Sequence, residues 1–120
     1  MALIPEFLLK KLYIAGSLAN VEGGWQFTLK NTLARATVTS LKGLAMDGAD
    51  VPLGDVSIAF GDEAIQADAI TPESPKAFPI NVPVTLKISG PALGEAGHTL
   101  KISLTTREFG PIEFTVADAL

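Results

Sequence analysis

The clearest pattern along the chain is an alternation of apolar and polar positions with a period of two. Trp25, Phe27 and Leu29 alternate with Gln26, Thr28 and Lys30, and Val84, Leu86 and Ile88 alternate with Thr85, Lys87 and Ser89. The same beat runs through Leu100, Ile102 and Leu104, and again through Ile112, Phe114 and Val116. Successive side chains of a β-strand point to opposite faces, so each run predicts a strand with one buried and one solvated side. In a fifth run only Ser57 and Ala59 separate Val56, Ile58 and Phe60, which predicts a strand whose outer face is also partly covered. Leu12 to Leu18 and Thr37 to Met46 are extended but less regular, with Gly16 and Gly43 marking bulges or bends.

Turn chemistry separates these runs. Gly23-Gly24, Asp47-Gly48, Gly61-Asp62, Gly94 to Gly97 and Gly110-Pro111 fall at the breaks, and glycine or Asp-Gly takes the positive φ that tight turns require. About seven or eight short strands, with a turn every 8–12 residues or so, predict a single antiparallel β-sandwich, Ig-like or Greek-key. That all-β domain spans residues 1–120. Helix is confined to a short turn over Pro5 to Lys11, with Pro5 at a first helical position. The segment QADAITPESPKAFPINV (66–82) is different, because Pro72, Pro75 and Pro79, with Pro83 just beyond, forbid a central strand. It predicts a crossover between the two sheets, or an extended arm laid on a partner.

Composition narrows the class. Hydrophobic residues make up 48% and charged residues 18%, which excludes both a disordered chain and a membrane span. The opening, Met1 to Leu9, has no basic segment before its apolar part and no small-residue cleavage site after it, so no signal peptide is expected. The chain has no cysteine, which removes disulfides, thiolate catalysis and Cys-based zinc sites. A cytoplasmic protein is the expectation. The net charge is −4, from 9 Lys and Arg against 13 Asp and Glu, and no basic cluster exceeds Lys10-Lys11. Nucleic-acid binding is therefore not expected.

Candidate chemistry is sparse. The one histidine, His98, follows a glycine turn and predicts a ring bonded to a backbone carbonyl rather than a catalytic base. Asp47, Asp50, Asp62 and Glu63 lie at turns without the spacing of a calcium loop, and solvated carboxylates are expected. No phosphate-binding GxxxxGK[ST], dinucleotide GxGxxG or nucleophile GxSxG motif occurs. No catalytic residue, metal ligand or bound cofactor is expected of this chain. Trp25 and Tyr13 suit the core or its rim. Phe7, Phe78 and Phe109 fall in loop-like contexts, where a turn phenylalanine suits a pocket on a partner, although taken singly each is expected in the core more often than not. With a mean hydropathy of +0.35, they predict an apolar patch covered by another subunit.

Four stretches carry a family likeness: IPEFLLKKLYIAGSL, WQFTLKNTLARATVTSL, LAMDGADVP and GHTLKISLTTREFGPIEFTV. They resemble the small β subunits of bacterial C-glycoside deglycosidases. The resemblance implies a hetero-oligomer with a larger (β/α)-barrel α subunit similar to sugar isomerases. That partner would hold a divalent metal and cleave the carbon–carbon bond of a 3-keto C-glycoside by elimination, the metal steadying the enolate. This chain would be its non-catalytic support. The alternative is a free-standing carbohydrate- or ligand-binding sandwich, which the inward placement of Trp25, Phe27, Phe60 and Phe114 disfavours. A cupin-type enzyme would need clustered histidines, and there is one.

Overall fold

In the computed structural model, residues 4–60 and 62–120 are described. Met1 to Leu3 of the apolar opening, and Gly61 of the expected Gly61-Asp62 turn, lie outside them. The alternating runs become the centres of two antiparallel sheets. One holds β1 (Ala19–Val21), β2 (Gly24–Lys30), β5 (Val56–Phe60), β6 (Glu63–Gln66) and β8 (Pro83–Ser89), in the order β1-β2-β8-β5-β6. The other runs from β10 (Gly110–Asp118) through β9 (His98–Thr106) and β3 (Ala36–Met46) to β4 (Ala49–Asp50). The outer edge of β3 takes β7 (Lys76–Phe78) near its start. The architecture is the expected antiparallel β-sandwich.

Period-two patterning sets which side chains meet. Phe27 stands opposite Leu86, and Leu86 opposite Ile58, so one row of three sheet-1 strands is apolar on its inner face. In the second sheet Phe114 pairs with Ile102, and Ile102 with Leu44. Phe27, Ile102 and Phe114 have no exposed surface at all. Burying a side chain of that size contributes about 1.5–3 kcal/mol, so these rows are the centre of the fold's stability. The β3 strand is long because it is bulged: its register with β9 shifts between Val38 and Ser40 and again between Leu41 and Gly43. Gly43 thus marks an irregularity, as expected.

Two glycine positions are dictated by geometry. A Cβ on Gly24 would stand 1.8 Å from the carbonyl oxygen of Ile88, because β2 and β8 close tightly there. At the β3–β4 turn Asp47 and Gly48 both have positive φ, 52° and 84°, the conformation of a tight primed hairpin turn. Aspartate tolerates that region better than most side chains.

Three expectations change. Leu12 to Leu18 is not a strand: helix α1 (Glu6–Leu9) runs into a 3-10 turn over Lys10–Leu12, and only Tyr13 bridges to the sheet, at Leu29. Pro5 caps α1 from outside the helix, with extended backbone, rather than opening it. Gly16, with φ of 81°, lies in the turn that follows instead of in a bulge. The proline-rich segment is the expected crossover between the sheets, though more ordered than a loop. After a 3-10 turn at Ala67–Ala69 it crosses to the second sheet as β7, then returns to the first as β8. The short strands β1, β4, β6 and β7 escape sequence reading because two to four residues are too few to display a period.

The N-terminal segment seals one side of the sandwich. It reaches from β2, where the Ile14 amide donates to the Thr28 carbonyl, to β10, where the Thr115 amide donates to the Glu6 carboxylate. No helix among the described residues is long and apolar enough to cross a membrane.

Candidate functional site

The two ends of the sandwich hold different materials. At one end, where β3 and β10 finish and β9 starts, three inward or turn-borne polar groups meet. His98 occupies the parity of Leu100, Ile102 and Leu104, so its ring faces the interior side of the sheet, and its side chain is only 10% exposed. Its Nδ1 lies 2.7 Å from Asp47 Oδ2, and its Nε2 lies 2.8 Å from the carbonyl oxygen of Gly94. The other Asp47 oxygen accepts from the Thr99 amide at 2.8 Å. The carbonyl contact is the one expected of His98. The Asp47 contact is a correction, since the turn carboxylates were expected to be free in solvent; the αL backbone of the turn aims Asp47 back at β9.

Both ring nitrogens face acceptors, so the ring fits its site best with a proton on each. The Gly94 carbonyl, and after it the Asp47 carboxylate, hold the His98 pKa above its ordinary value. Hydrogen bonds from His98, and then from the Thr99 amide, hold Asp47 below the usual carboxylate range. A ring engaged on both sides has no free lone pair for a metal or for a substrate proton. Among the described residues, no three His, Asp or Glu side chains are grouped to hold a metal ion.

Beside it, Asp118 pairs in register with His98 and ties down the N-terminal segment. Its Oδ2 accepts from the Tyr13 hydroxyl at 2.6 Å and from the Gly16 amide at 2.9 Å. Desolvation pushes Asp118 up, but the Tyr13 hydroxyl and the amides of Ala119 and Gly16 outweigh it, leaving the pKa low. Burial, and after it the neighbouring Asp118, drives the Tyr13 phenol well above its normal range. Tyr13 therefore stays protonated, a fixed donor.

The opposite end, near the β9–β10 turn, is apolar. Ile4, Leu33, Phe109, Leu9, Leu12 and Phe78 help to line a cavity of about 30 Å³. Two buried polar side chains line it, Thr106, which accepts from the Phe109 amide and donates to the Gly110 carbonyl, and Asn31, 1% exposed, which sequence reading missed. The Asn31 amide donates to the carbonyls of Ala34 (2.6 Å) and Phe78 (2.8 Å) while its oxygen accepts from the Leu33 and Ala34 amides. One side chain thereby satisfies the backbone of the β2–β3 loop and fastens it to β7. A lone Asn at a strand end looks like any turn residue, so no pattern flags it.

The three phenylalanines proposed for a partner interface end up in three settings. Phe7 is 66% exposed on α1. Phe109 is partly buried at the cavity rim. Phe78 is in the core, 6% exposed, and its ring is spent inside the chain. Two exposed residues of the β7–β8 connection, Ile80 and Val82, join the apolar surface instead. Ile80 sits beside the cavity through its bridge to Asn31.

No curated protein matches the chain. A protein-family profile described as Hydroxymethylglutaryl-CoA reductase, N-terminal domain, matches residues 8–120. This finding overturns the resemblance to C-glycoside deglycosidase β subunits, and the lyase reading with it. The likeness consisted of strand and turn patterns, which an antiparallel sandwich of any family displays. The barrel partner and its divalent metal are implications of that resemblance alone. The free-standing carbohydrate- or ligand-binding module gains no support from the match either. The chain belongs to the family of hydroxymethylglutaryl-CoA reductase N-terminal domains.

Proposed function

We infer that the chain is a non-catalytic domain that packs against the catalytic body of a hydroxymethylglutaryl-CoA reductase and steadies it, in the cytoplasm. The observation that carries this reading is the apolar end. Phe7, at 66% exposure, Ile80 at 47% and Val82 at 39% leave large hydrophobic side chains in water, and Ile80 bridges to Asn31 in the wall of the apolar cavity. An isolated exposed leucine needs no explanation, but an exposed phenylalanine together with two exposed branched side chains on a fold that also carries an open apolar cavity suits a surface that a partner covers. The family description supplies the kind of partner, since it places such a domain within a reductase. The fully engaged ring nitrogens of His98 support the non-catalytic part of the reading.

The test is reconstitution. The purified chain, mixed with the catalytic part of a hydroxymethylglutaryl-CoA reductase from the same source, should co-elute with it on size exclusion. Phe7→Asp should abolish co-elution while leaving the thermal unfolding of the free chain unchanged. Separate elution of the wild-type proteins, with a reductase fully active alone, would remove the reading. Turnover of hydroxymethylglutaryl-CoA by this chain on its own would remove it as well.

A further inference from the structure

The connection from β8 to β9, residues 90–97, crosses the polar end of the sandwich from one sheet to the other. Its sequence, GPALGEAG, is small and glycine-rich, and side chains outside it hold its middle in place. On the first-sheet side Asn20 grips Leu93 twice: its amide donates to the Leu93 carbonyl at 2.9 Å and its oxygen accepts from the Leu93 amide at 2.7 Å. On the second-sheet side the fastening is His98 Nε2 on the Gly94 carbonyl. Glu95 of this loop, with Leu18, Ala19, Asn20 and Leu120, borders an open cleft of about 550 Å³.

We propose that His98 is a proton-operated latch, holding the second-sheet half of the loop, residues 94–97, closed over this end while the ring carries two protons and releasing that half when one leaves. The geometry compels the choice. A neutral imidazole has one donor and one lone pair. Whichever tautomer forms, its lone pair faces an oxygen acceptor, either the Asp47 carboxylate at 2.7 Å or the Gly94 carbonyl at 2.8 Å. The carboxylate is the stronger acceptor and is itself pinned by the Thr99 amide, so the remaining proton stays with Asp47 and the Gly94 bond is lost. The charged groups at this ring are acidic, Asp47 bonded to it from the β3–β4 turn and Asp118 its register partner on β10, while Glu95 of the loop stands at the border of the cleft. Tyr13, bonded to Asp118, stays neutral. Lys101 of the same strand has the opposite parity and points to the outer face. Asp47 and Asp118 thus favour the closed, protonated form.

The measurement is methyl relaxation at Ala96, whose Cβ reports backbone order without interference from amide exchange, with Ala92 beside the Asn20-held Leu93 as the unchanging reference, alongside NMR titration of the His98 ring. In the wild-type chain the Ala96 order parameter should fall from about 0.85 to below about 0.6 as pH rises through the His98 midpoint. Above that midpoint the closed population should shrink about tenfold per pH unit. Asp47→Asn should move the midpoint to lower pH, and His98→Phe should leave residues 94–97 mobile at every pH. An Ala96 order parameter that does not change with pH, or one in His98→Phe as high as in the wild type, would overturn the proposal. If His98→Phe does not fold, Asp47→Asn decides alone, and an unmoved midpoint counts against the latch.

Discussion

The two ends of this sandwich solve the same problem with opposite chemistry. Both must bring loops across the open edge between two sheets and satisfy the backbone groups those loops expose. The His98 end does so with charged partners near solvent, so its order depends on protons. The Asn31 end does so with a neutral, buried amide in the wall of an apolar cavity, so its order depends on packing. Charge-assisted bonds are the stronger class, but they are also the ones that pH and salt can undo. The molecule thereby has one end that can respond and one that stays fixed.

The largest break in this contrast comes from the fixed end. Asn31→Ala strands two carbonyls and two amides in a nearly dry site, and should lower the unfolding free energy by about 3–5 kcal/mol in urea titration. A loss below about 1 kcal/mol would mean water replaces the amide and the two ends differ less than their geometry says. Next is Tyr13→Phe, which removes a donor from the Asp118 carboxylate while the Gly16 and Ala119 amides remain. A loss of about 1–2 kcal/mol is expected.

The pH profile then separates the ends. Asp47 and Asp118 have lowered pKa values, so their contribution is complete above the unfolded value of 3.8 and disappears as pH falls through the folded value. His98 is raised from 6.5, so its contribution is complete below that pH and disappears as pH climbs through the folded value. Urea midpoints should therefore be highest at mildly acidic pH and decline on both sides. His98→Gln should flatten the alkaline decline and leave the acid one. An alkaline decline of wild-type size in that variant would relocate the response to another group. The smallest effect belongs to Phe7→Ala, which should change the stability of the free chain by less than about 0.5 kcal/mol.

The sandwich was legible because its long strands alternate cleanly: Phe27, Leu86, Ile102 and Phe114 announce their inward side in the order of the residues. The ends were not, since they depend on contacts between distant positions. Nothing near Asp47 says that its carboxylate meets a histidine fifty-one residues later, and nothing near Asn31 says that its amide donates to the Phe78 carbonyl. Phe78 shows the limit most directly. Flanking prolines make it look like a loop residue, yet a three-residue strand along β3 places its ring inside. Phe7 keeps the exposure its context suggested because α1 is a single helical turn whose inward side is already taken by Leu9. Family membership lay beyond the pattern altogether, as alternation records a pleated sheet and not descent.

The outer edge of β10 has a wider consequence. Its outward backbone positions include Thr115, whose amide is taken by Glu6, and at the same parity Pro111, which has no amide to offer. A nine-residue strand at the margin of a sheet would otherwise template another chain, strand against strand. One acid and one imino acid take two of those positions away from any incoming strand.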